Sequence, residues 1–167
     1  KEESAMGKIN LIRADFRLIH GQVITKWLKE CNAEKIVIIN NELAKDSFLA
    51  NIYTMAAPPG IKVEVTSIEE SVKQWEENQF GSEKLLILFK TVKDIYEAQR
   101  LGFPIVELQI GGLGGGPGRT NVLNQISLDQ TDAELLKEVQ AKGTHVYLHV
   151  LPTEPKVELD AALSKMK

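Results

Sequence analysis

The sequence predicts a single α/β domain in which a mostly parallel sheet carries helices on both faces. Short apolar segments alternate along the chain with longer segments of helical periodicity. Two of them, KIVIIN at residues 35–40 and KLLILF at residues 84–89, are apolar throughout their centres, which is typical of parallel strands buried on both faces. No repeat and no linker long enough to divide the chain is present. Right-handed crossovers between such strands place helices on both sides of the sheet.

The individual elements follow from hydrophobic spacing and from capping residues. Ser67 with Glu70 and Thr131 with Glu134 have the spacing of capping boxes, and Thr91 is a predicted N-cap. The predicted strands are residues 8–14, 35–40, 62–66, 84–89, 105–110, a short one near 122–128, and 144–150. The predicted helices are residues 21–31 and 156–165 and, between them, segments within 48–56, 67–75, 91–102 and 131–143.

Composition bounds the class of protein. The chain has 167 residues, 43% hydrophobic and 26% charged, with a net charge of −3 and with acidic and basic residues interspersed. These values predict one soluble domain and disfavour nucleic acid or a membrane surface as the main partner. The longest apolar runs, Ile36–Ile39 and Leu85–Phe89, are too short to cross a bilayer. Residues 1–7 are predicted to be a tail or a cloning remnant, with Met6 as a natural start, and have no signal-peptide pattern.

Three residues with reactive side chains have simpler structural interpretations. Cys31 is the only cysteine, so no internal disulfide forms and a reducing cytoplasm is expected. Its place inside a predicted helix favours a packing role over a reactive thiol. His145 and His149 fall on one face of a predicted strand, about 13 Å apart, which is too far for one metal ion to bind both without further ligands. No metal and no cofactor are expected.

The segment DFRLIHGQV, residues 15–23, places His20 between the first strand and the first helix. In a parallel sheet this is the edge where ligands collect. A neutral, accessible histidine can act as a nucleophile, and its reference pKa of roughly 6.5 leaves much of it neutral. The free N–H groups at a helix start bind anions, and Gly21 has no side chain to block their approach. The location therefore favours phosphate as the electrophile.

Two neighbours of His20 can support this chemistry. Arg17 can bind two phosphate oxygens with its planar fork of donors. Asp15 can accept a hydrogen bond from the second imidazole nitrogen or hold Arg17 in place. The residues alone leave two interpretations open, a phosphohistidine site or a hydrogen-bonded loop histidine beside a surface arginine.

The glycine-rich segment GGLGGGPGRT, residues 111–120, does not fit a nucleotide-binding motif. In a P-loop register, Leu113 stands where a glycine is required and Arg119 replaces the lysine. A loop near the active edge or a partner-docking surface is the predicted role. Ser67 and Thr91 follow strands at the same edge, and they are weaker candidates for phosphate contacts because helix capping already explains both.

The motif D-x-R-L-I-H-G-Q-V after a first strand resembles that of the IIB components of the mannose/fructose/sorbose family of the bacterial sugar phosphotransferase system. The resemblance runs from Ile9 onward and covers nearly the whole chain. Other segments that are similar to those of the family are Ala57–Gly60, Leu88-Phe89, Gly111-Gly112 and Gly118–Thr120. Many relatives have a second acidic or polar residue where this chain has Phe16, whose ring is therefore a candidate contact for a partner protein.

The resemblance implies a specific fold and activity. The fold is a seven-stranded sheet, six strands parallel and one antiparallel, in a single IIB domain over residues 8–167. The activity is that of a protein-phosphohistidine–sugar phosphotransferase. His20 accepts phosphate from a IIA component on Nδ1 while Arg17 steadies it and Gly21 and Gln22 help to bind it.

The resemblance also implies partners and a location. The phosphate then passes to a sugar held by the membrane IIC and IID components, which implies a cytoplasmic protein that associates peripherally with them. The motif is compatible with a homo-oligomer, and it does not specify the sugar, because the membrane components hold it.

Two other classes of function use similar folds. A receiver-like signalling domain needs an acceptor aspartate at the end of the third strand, where this chain has Thr66-Ser67. A small-molecule binding module would use His20 only as a hydrogen-bond donor. Covalent labelling separates a phosphocarrier from such a module.

Overall fold

A computed structural model describes residues 7–166, which form one α/β domain with helices on both faces of a sheet. The predicted fold class is confirmed. Apart from Gly7, the predicted N-terminal tail lies outside the described residues. Within residues 7–166, no helix has both the length and the apolar character needed to span a bilayer.

The elements alternate between strand and helix for most of the chain. The strands are β1 (Lys8–Asp15), β2 (Lys35–Ile39), β3 (Lys62–Thr66), β4 (Lys84–Phe89), β5 (Glu107–Gly112), β6 (Thr120–Leu123), β7 (Ile126–Leu128), β8 (His145–Leu148) and β9 (Val157–Glu158). The helices are α1 (Gly21–Cys31), α2 (Asn41–Ala44), α3 (Ser47–Ala56), α4 (Ile68–Asn78), α5 (Val92–Arg100), α6 (Gln130–Ala141) and α7 (Leu159–Leu163), followed by a 3₁₀ turn at Ser164–Met166.

The main sheet has seven strands in the order β3-β2-β4-β1-β5-β8-β9. The first six run parallel and β9 pairs antiparallel with β8, so the topology expected from the family resemblance is confirmed. β6 and β7 form a separate antiparallel hairpin. β1 lies between β4 and β5, which places its carboxyl end at the middle of the sheet edge.

Each face of the sheet has its own apolar cluster. On one face, α1 packs through Ile24 and Leu28 against the β4 side chains Leu86 and Leu88, and α2 and α3 cover the strands beyond it. On the other face, α4 to α7 pack against the alternate residues of the same strands. α1 therefore crosses over β4 as it returns from the carboxyl edge of the sheet.

Two predicted strand boundaries were wrong because a glycine or a turn was misassigned. The fifth strand, predicted at 105–110, spans Glu107–Gly112, since Gly112 pairs with Asp15 of β1 and Gly111 lies within the strand at a register shift, so the two glycines do not begin a loop. The predicted strand near 122–128 is a hairpin that turns at Gln125, which has the left-handed φ of 69°.

Two helix starts also differ from the predictions. The capping box of α6 uses Asp129 and Asp132, whereas Thr131 and Glu134 were predicted. The carboxylate of Asp129 accepts a hydrogen bond from the backbone N–H of Asp132. The N-cap of α6 is therefore two residues earlier than the predicted Thr131. The predicted helix 156–165 begins with strand β9, and its helical part starts at Leu159.

The apolar face of α3 points largely outward. This helix lies beside edge strand β3, where Tyr53 packs against the core. The stripe predicted from its periodicity is present in sequence, but most of it is exposed because only one side of the helix reaches the sheet. The exposed apolar side chains of α3 are Phe48, Leu49, Ile52 and Met55.

Candidate functional site

The loop that follows β1 is held by a hydrogen bond within it and by two buried side chains. A backbone hydrogen bond of 2.9 Å from the N–H of Leu18 to the carbonyl of Asp15 closes a turn. Leu18 has a left-handed φ of 58°, and its side chain and that of Ile19 are buried in the cluster beneath α1. Apolar burial offsets the strain of this conformation. The turn delivers His20 to the N-cap position of α1 in an extended conformation.

The two ring nitrogens of His20 differ, because one is hydrogen-bonded to Asp15 and the other has no partner among the described residues. Its Nε2 lies 3.1 Å from Asp15 Oδ2, and its side chain is 21% exposed. An ionised carboxylate only accepts hydrogen bonds, so this contact assigns the proton of the neutral ring to Nε2. Nδ1 has no hydrogen-bond partner among residues 7–166 and is left as the lone-pair nitrogen. The predicted contact between Asp15 and the imidazole is present.

Asp15 is the hub of the site. Its carboxylate is 1% exposed and accepts from the backbone N–H of Arg17 at 3.0 Å and from Arg13 Nη2 at 3.3 Å. Both alternatives predicted for Asp15 are realised, because it binds His20 and also faces Arg17 Nε at 3.5 Å. Because several donors fix this carboxylate, it can hold the His20 ring in one orientation.

Arg13 is a component of the site that the sequence analysis missed. Its side chain is 1% exposed and also donates to the Gln109 side chain, to the carbonyl of His149 at 3.0 Å and to that of Val150 at 3.2 Å. Burial lowers the pKa of Arg13 to about 10, Asp15 opposes the shift, and the group remains charged at neutral pH. Its position two residues before Asp15 in a strand places both on one face, which was the available signal.

Arg17 is held in place but keeps donors for a ligand. Its side chain is 35% exposed, and its guanidinium lies 5.3 Å from the centre of the Phe16 ring. Nε lies 3.5 Å from Asp15 Oδ1 without forming a hydrogen bond, and the two terminal nitrogens of the fork have no protein partner among residues 7–166. Phe16, at 37% exposure, therefore supports Arg17, and its contact with a partner protein remains a prediction.

The first glycines of the glycine-rich segment make room for the site. A Cβ added at Gly111 would lie 2.0 Å from Cζ of Arg13, and one at Gly112 would lie 2.9 Å from Asp15 Oδ1. The backbone of β5 thus lies so close to the Arg13 and Asp15 side chains that no Cβ atom fits between them. These glycines serve the histidine loop by their lack of a side chain.

The rest of the glycine-rich segment is pinned by Arg119. Its guanidinium donates to the carbonyls of Gly114 at 2.7 Å and Ser127 at 2.9 Å, and it forms ion pairs with Asp129 and Asp132 at 3.0 and 2.8 Å. This arginine ties the segment to the start of α6. Its four contacts within the chain give it a structural role, and the docking role suggested for the segment remains a prediction.

The other predicted phosphate contacts differ in their distance from His20. Gly21 and Gln22 are exposed in the first turn of α1, where no side chain caps the backbone N–H groups. Thr91 follows β4, the neighbour of β1, and its hydroxyl accepts from the N–H of Asp94. Ser67 caps α4 and follows β3, three strands from β1 and so roughly 14 Å away. The structure therefore groups Gly21 and Gln22 with His20 and separates Ser67 from it.

The remaining cysteine and histidines lie outside this group. Cys31 ends α1 at the opposite edge of the sheet, and burial raises the pKa of its thiol. His145 bridges Glu158 at 2.8 Å and Glu107 at 3.4 Å on the surface. His149 packs edge-on against Trp27 and contacts the carbonyl of Glu154 at 2.6 Å. Within the described residues, no group of three or more histidine, cysteine or carboxylate side chains has the arrangement of a metal site.

Comparison with known proteins gives consistent matches. A family model described as the PTS system sorbose subfamily IIB component matches residues 9–167. The sorbose-specific EIIB component of Lacticaseibacillus casei is 33% identical over 158 residues, covering 95% of this chain and 96% of that protein. The mannose-specific EIIAB component of Escherichia coli K12 is 32% identical over 158 residues, covering 95% of this chain but 49% of that protein. The chain thus spans about half the length of the mannose-specific relatives it matches.

Solved structures agree with the sequence matches. The crystal structure of the IIBSor domain of the Klebsiella pneumoniae sorbose permease superposes with a TM-score of 0.89 at 34% identity, covering 96% of this chain and 98% of that one. A crystal structure of manxB from Thermoanaerobacter tengcongensis gives the same TM-score at 40% identity, covering 97% of this chain and 98% of that one. Both superpositions cover nearly the whole chain.

Proposed function

Because the chain belongs to the sorbose-subfamily IIB components of the phosphotransferase system, we propose that it is a phosphocarrier with His20 as the phosphorylated residue. The observation that carries this proposal is the contact of 3.1 Å between His20 Nε2 and the buried carboxylate of Asp15. It holds the ring in the tautomer that presents the lone pair of Nδ1, on a partly exposed side chain, at the carboxyl edge of a parallel sheet.

The surroundings of His20 suit a phosphoryl group. The first turn of α1 offers backbone N–H groups at Gly21 and Gln22, and its dipole adds roughly half a positive charge at that end. Arg17 supplies a planar pair of donors for two phosphate oxygens, while Asp15 and Phe16 hold it beside the loop. Together these groups neutralise charge as it spreads over the transferring oxygens.

The proposed reaction has two transfers. In the first, Nδ1 of His20 attacks the phosphorus of the phosphohistidine on a IIA component, so the new P–N bond forms as the donor's P–N bond breaks. Asp15 stabilises the N–H at Nε2 as positive charge develops on the ring. In the second, a sugar hydroxyl attacks the same phosphorus, the P–N bond of His20 breaks, and the hydroxyl proton leaves to a base on the acceptor side.

The proposed partners follow from the relatives. The mannose-specific relative is named as an EIIAB component, which joins an A part and a B part in one protein. We place a IIA protein as the donor and membrane IIC and IID components as the site of the sugar. The chain then acts at the cytoplasmic side of the membrane and associates with it through those components.

Covalent labelling tests the proposed function. The purified chain, incubated with a phosphorylated IIA component and the general phosphotransfer proteins that charge it, is expected to gain one phosphoryl group. The label should be lost in mild acid and survive alkali, since it is a phosphoramidate. A chain that binds the donor yet stays unlabelled would be a binding module and would contradict the proposal.

A further inference from the structure

We infer that Lys90 is a second phosphate-binding cation of the histidine site, in addition to Arg17, and this inference rests on the proposed phosphohistidine. Lys90 is the first residue after β4, and it is exposed. The inference follows from three independent observations: the register of β4 against β1, the row of side chains on which α1 packs, and the charge balance around His20.

The register places Lys90 beside Asp15. β1 and β4 are parallel neighbours, and the last residue pair of their ladder is Ala14 with Phe89. Lys90 follows Phe89 directly at the end of β4 and Asp15 follows Ala14 directly in β1, so the two residues are neighbours at the sheet edge, where adjacent strands lie about 5 Å apart. Thus the strand next to the histidine loop ends in a cation at the level of the carboxylate that holds His20.

The side chains that pack under α1 indicate on which face of the sheet Lys90 lies. Leu86 and Leu88 of β4 belong to the cluster that contains Ile24 and Leu28 of α1. Side chains alternate along a strand, and extending this alternation by one residue past the end of β4 assigns Lys90 to the same row. α1 runs back from the carboxyl edge, and its first turn, at His20, therefore lies at the end of the row that Lys90 continues.

The charges around His20 leave room for another cation. A phosphoryl group carries about −1.5 to −2 charges near neutral pH. The buried charge of Arg13 is matched by that of Asp15, which leaves Arg17 and the partial charge of the helix start to face the phosphate. These two sources amount to roughly one and a half positive charges, about half a charge short of a full dianion, so a further cation nearby stabilises the dianionic over the monoanionic form.

Lys90 is available for this role, and a nearby lysine is not. Among the described residues, no carboxylate lies within ion-pair distance of Lys90. Lys93, in the first turn of α5, is also exposed, but its charge acts on Asp94 and Glu97. Burial raises the pKa of Asp94, and Lys93 counteracts that rise. Lys93 is therefore a matched control, equal in charge and three residues away.

The experiment compares Lys90→Ala and Lys93→Ala in the intact chain. Acceptance of phosphate from the phosphorylated IIA component should be about tenfold slower in Lys90→Ala, unchanged in Lys93→Ala, and largely retained in Lys90→Arg. A ³¹P NMR titration of the phosphorylated proteins gives a second readout. Lys90 stabilises the dianion, so its removal should raise the second pKa of the phosphoryl group, whereas removal of Lys93 should not.

The outcomes separate this inference from the proposed function. If His20 is labelled but both alanine variants match the wild type in rate and titration, Lys90 does not bind the phosphate. A slower rate with an unshifted titration would assign Lys90 to donor docking, which also overturns the inference. A wild-type chain that is not labelled at His20 would instead overturn the proposed function itself.

Discussion

Replacing His20 by alanine is expected to abolish phosphoryl acceptance completely while leaving the fold intact. The side chain is partly exposed and makes one hydrogen bond, to Asp15, so its removal should lower the free energy of unfolding by only about 1 kcal/mol. Asp15 keeps its bonds from Arg13 and from the Arg17 backbone. Labelling by the phosphorylated IIA component and circular dichroism measure the two parts of this expectation.

Two substitutions serve as matched controls for the loss at His20. His145→Ala removes an exposed histidine that lies on β8 and pairs with Glu158 and Glu107. Cys31→Ser removes a thiol at the far end of α1, whose pKa is raised by burial. Both proteins should accept phosphate at a rate near that of the wild type. Labelling of the His20→Ala protein, or loss of labelling in folded Cys31→Ser, would assign the phosphate to another residue.

Asp15→Asn is expected to lower both stability and transfer. The charge of Arg13 is buried, and without the carboxylate it keeps only neutral acceptors, which costs about 3–5 kcal/mol in comparable buried pairs. That is a large part of the 5–15 kcal/mol that stabilises a typical domain. The amide can also donate to His20 Nε2, which moves the ring proton to Nδ1 and removes the nucleophile. Transfer should fall by roughly a hundredfold or more.

Denaturant unfolding and the initial rate of labelling measure the two effects of Asp15→Asn. Glu97→Gln is the control, because Glu97 forms an exposed ion pair with Arg100 and contacts no part of the site. It should leave transfer unchanged and stability nearly so. Asp15→Asn with wild-type stability and wild-type transfer would show that the carboxylate neither balances Arg13 nor orients His20.

Periodicity in the sequence predicted most of the fold, and its failures have local causes. Helix α1 and strands β3 and β4 have the predicted bounds, since their apolar spacing agrees with their capping and stop residues. Strand β5 was misplaced because Gly111 and Gly112 have a low preference for strands. The pairing of Gly112 depends on Asp15 of β1, nearly one hundred positions away in sequence, and the side chains of Arg13 and Asp15 occupy the space that a side chain at Gly111 or Gly112 would need.

The site was predictable where its residues are neighbours in sequence. His20, Arg17 and Asp15 lie within six positions, and the turn after β1 brings them together as expected. The motif also identified the family, which the comparisons confirm. The supports of the site were not predictable, because the partners of Arg13 come from β5 and from the chain after β8. Gln109 and the carbonyl of His149 are 96 and 136 positions away.

The proposal depends most on which atom carries the phosphate. Phosphorylation of the chain with ¹⁵N in its histidine rings, followed by correlation of ³¹P with ¹⁵N, identifies that atom directly. The contact between His20 Nε2 and Asp15 predicts a single signal that joins phosphorus to Nδ1 of His20. A bond to Nε2 of His20, to a ring nitrogen of His145 or His149, or to the sulfur of Cys31 would contradict it.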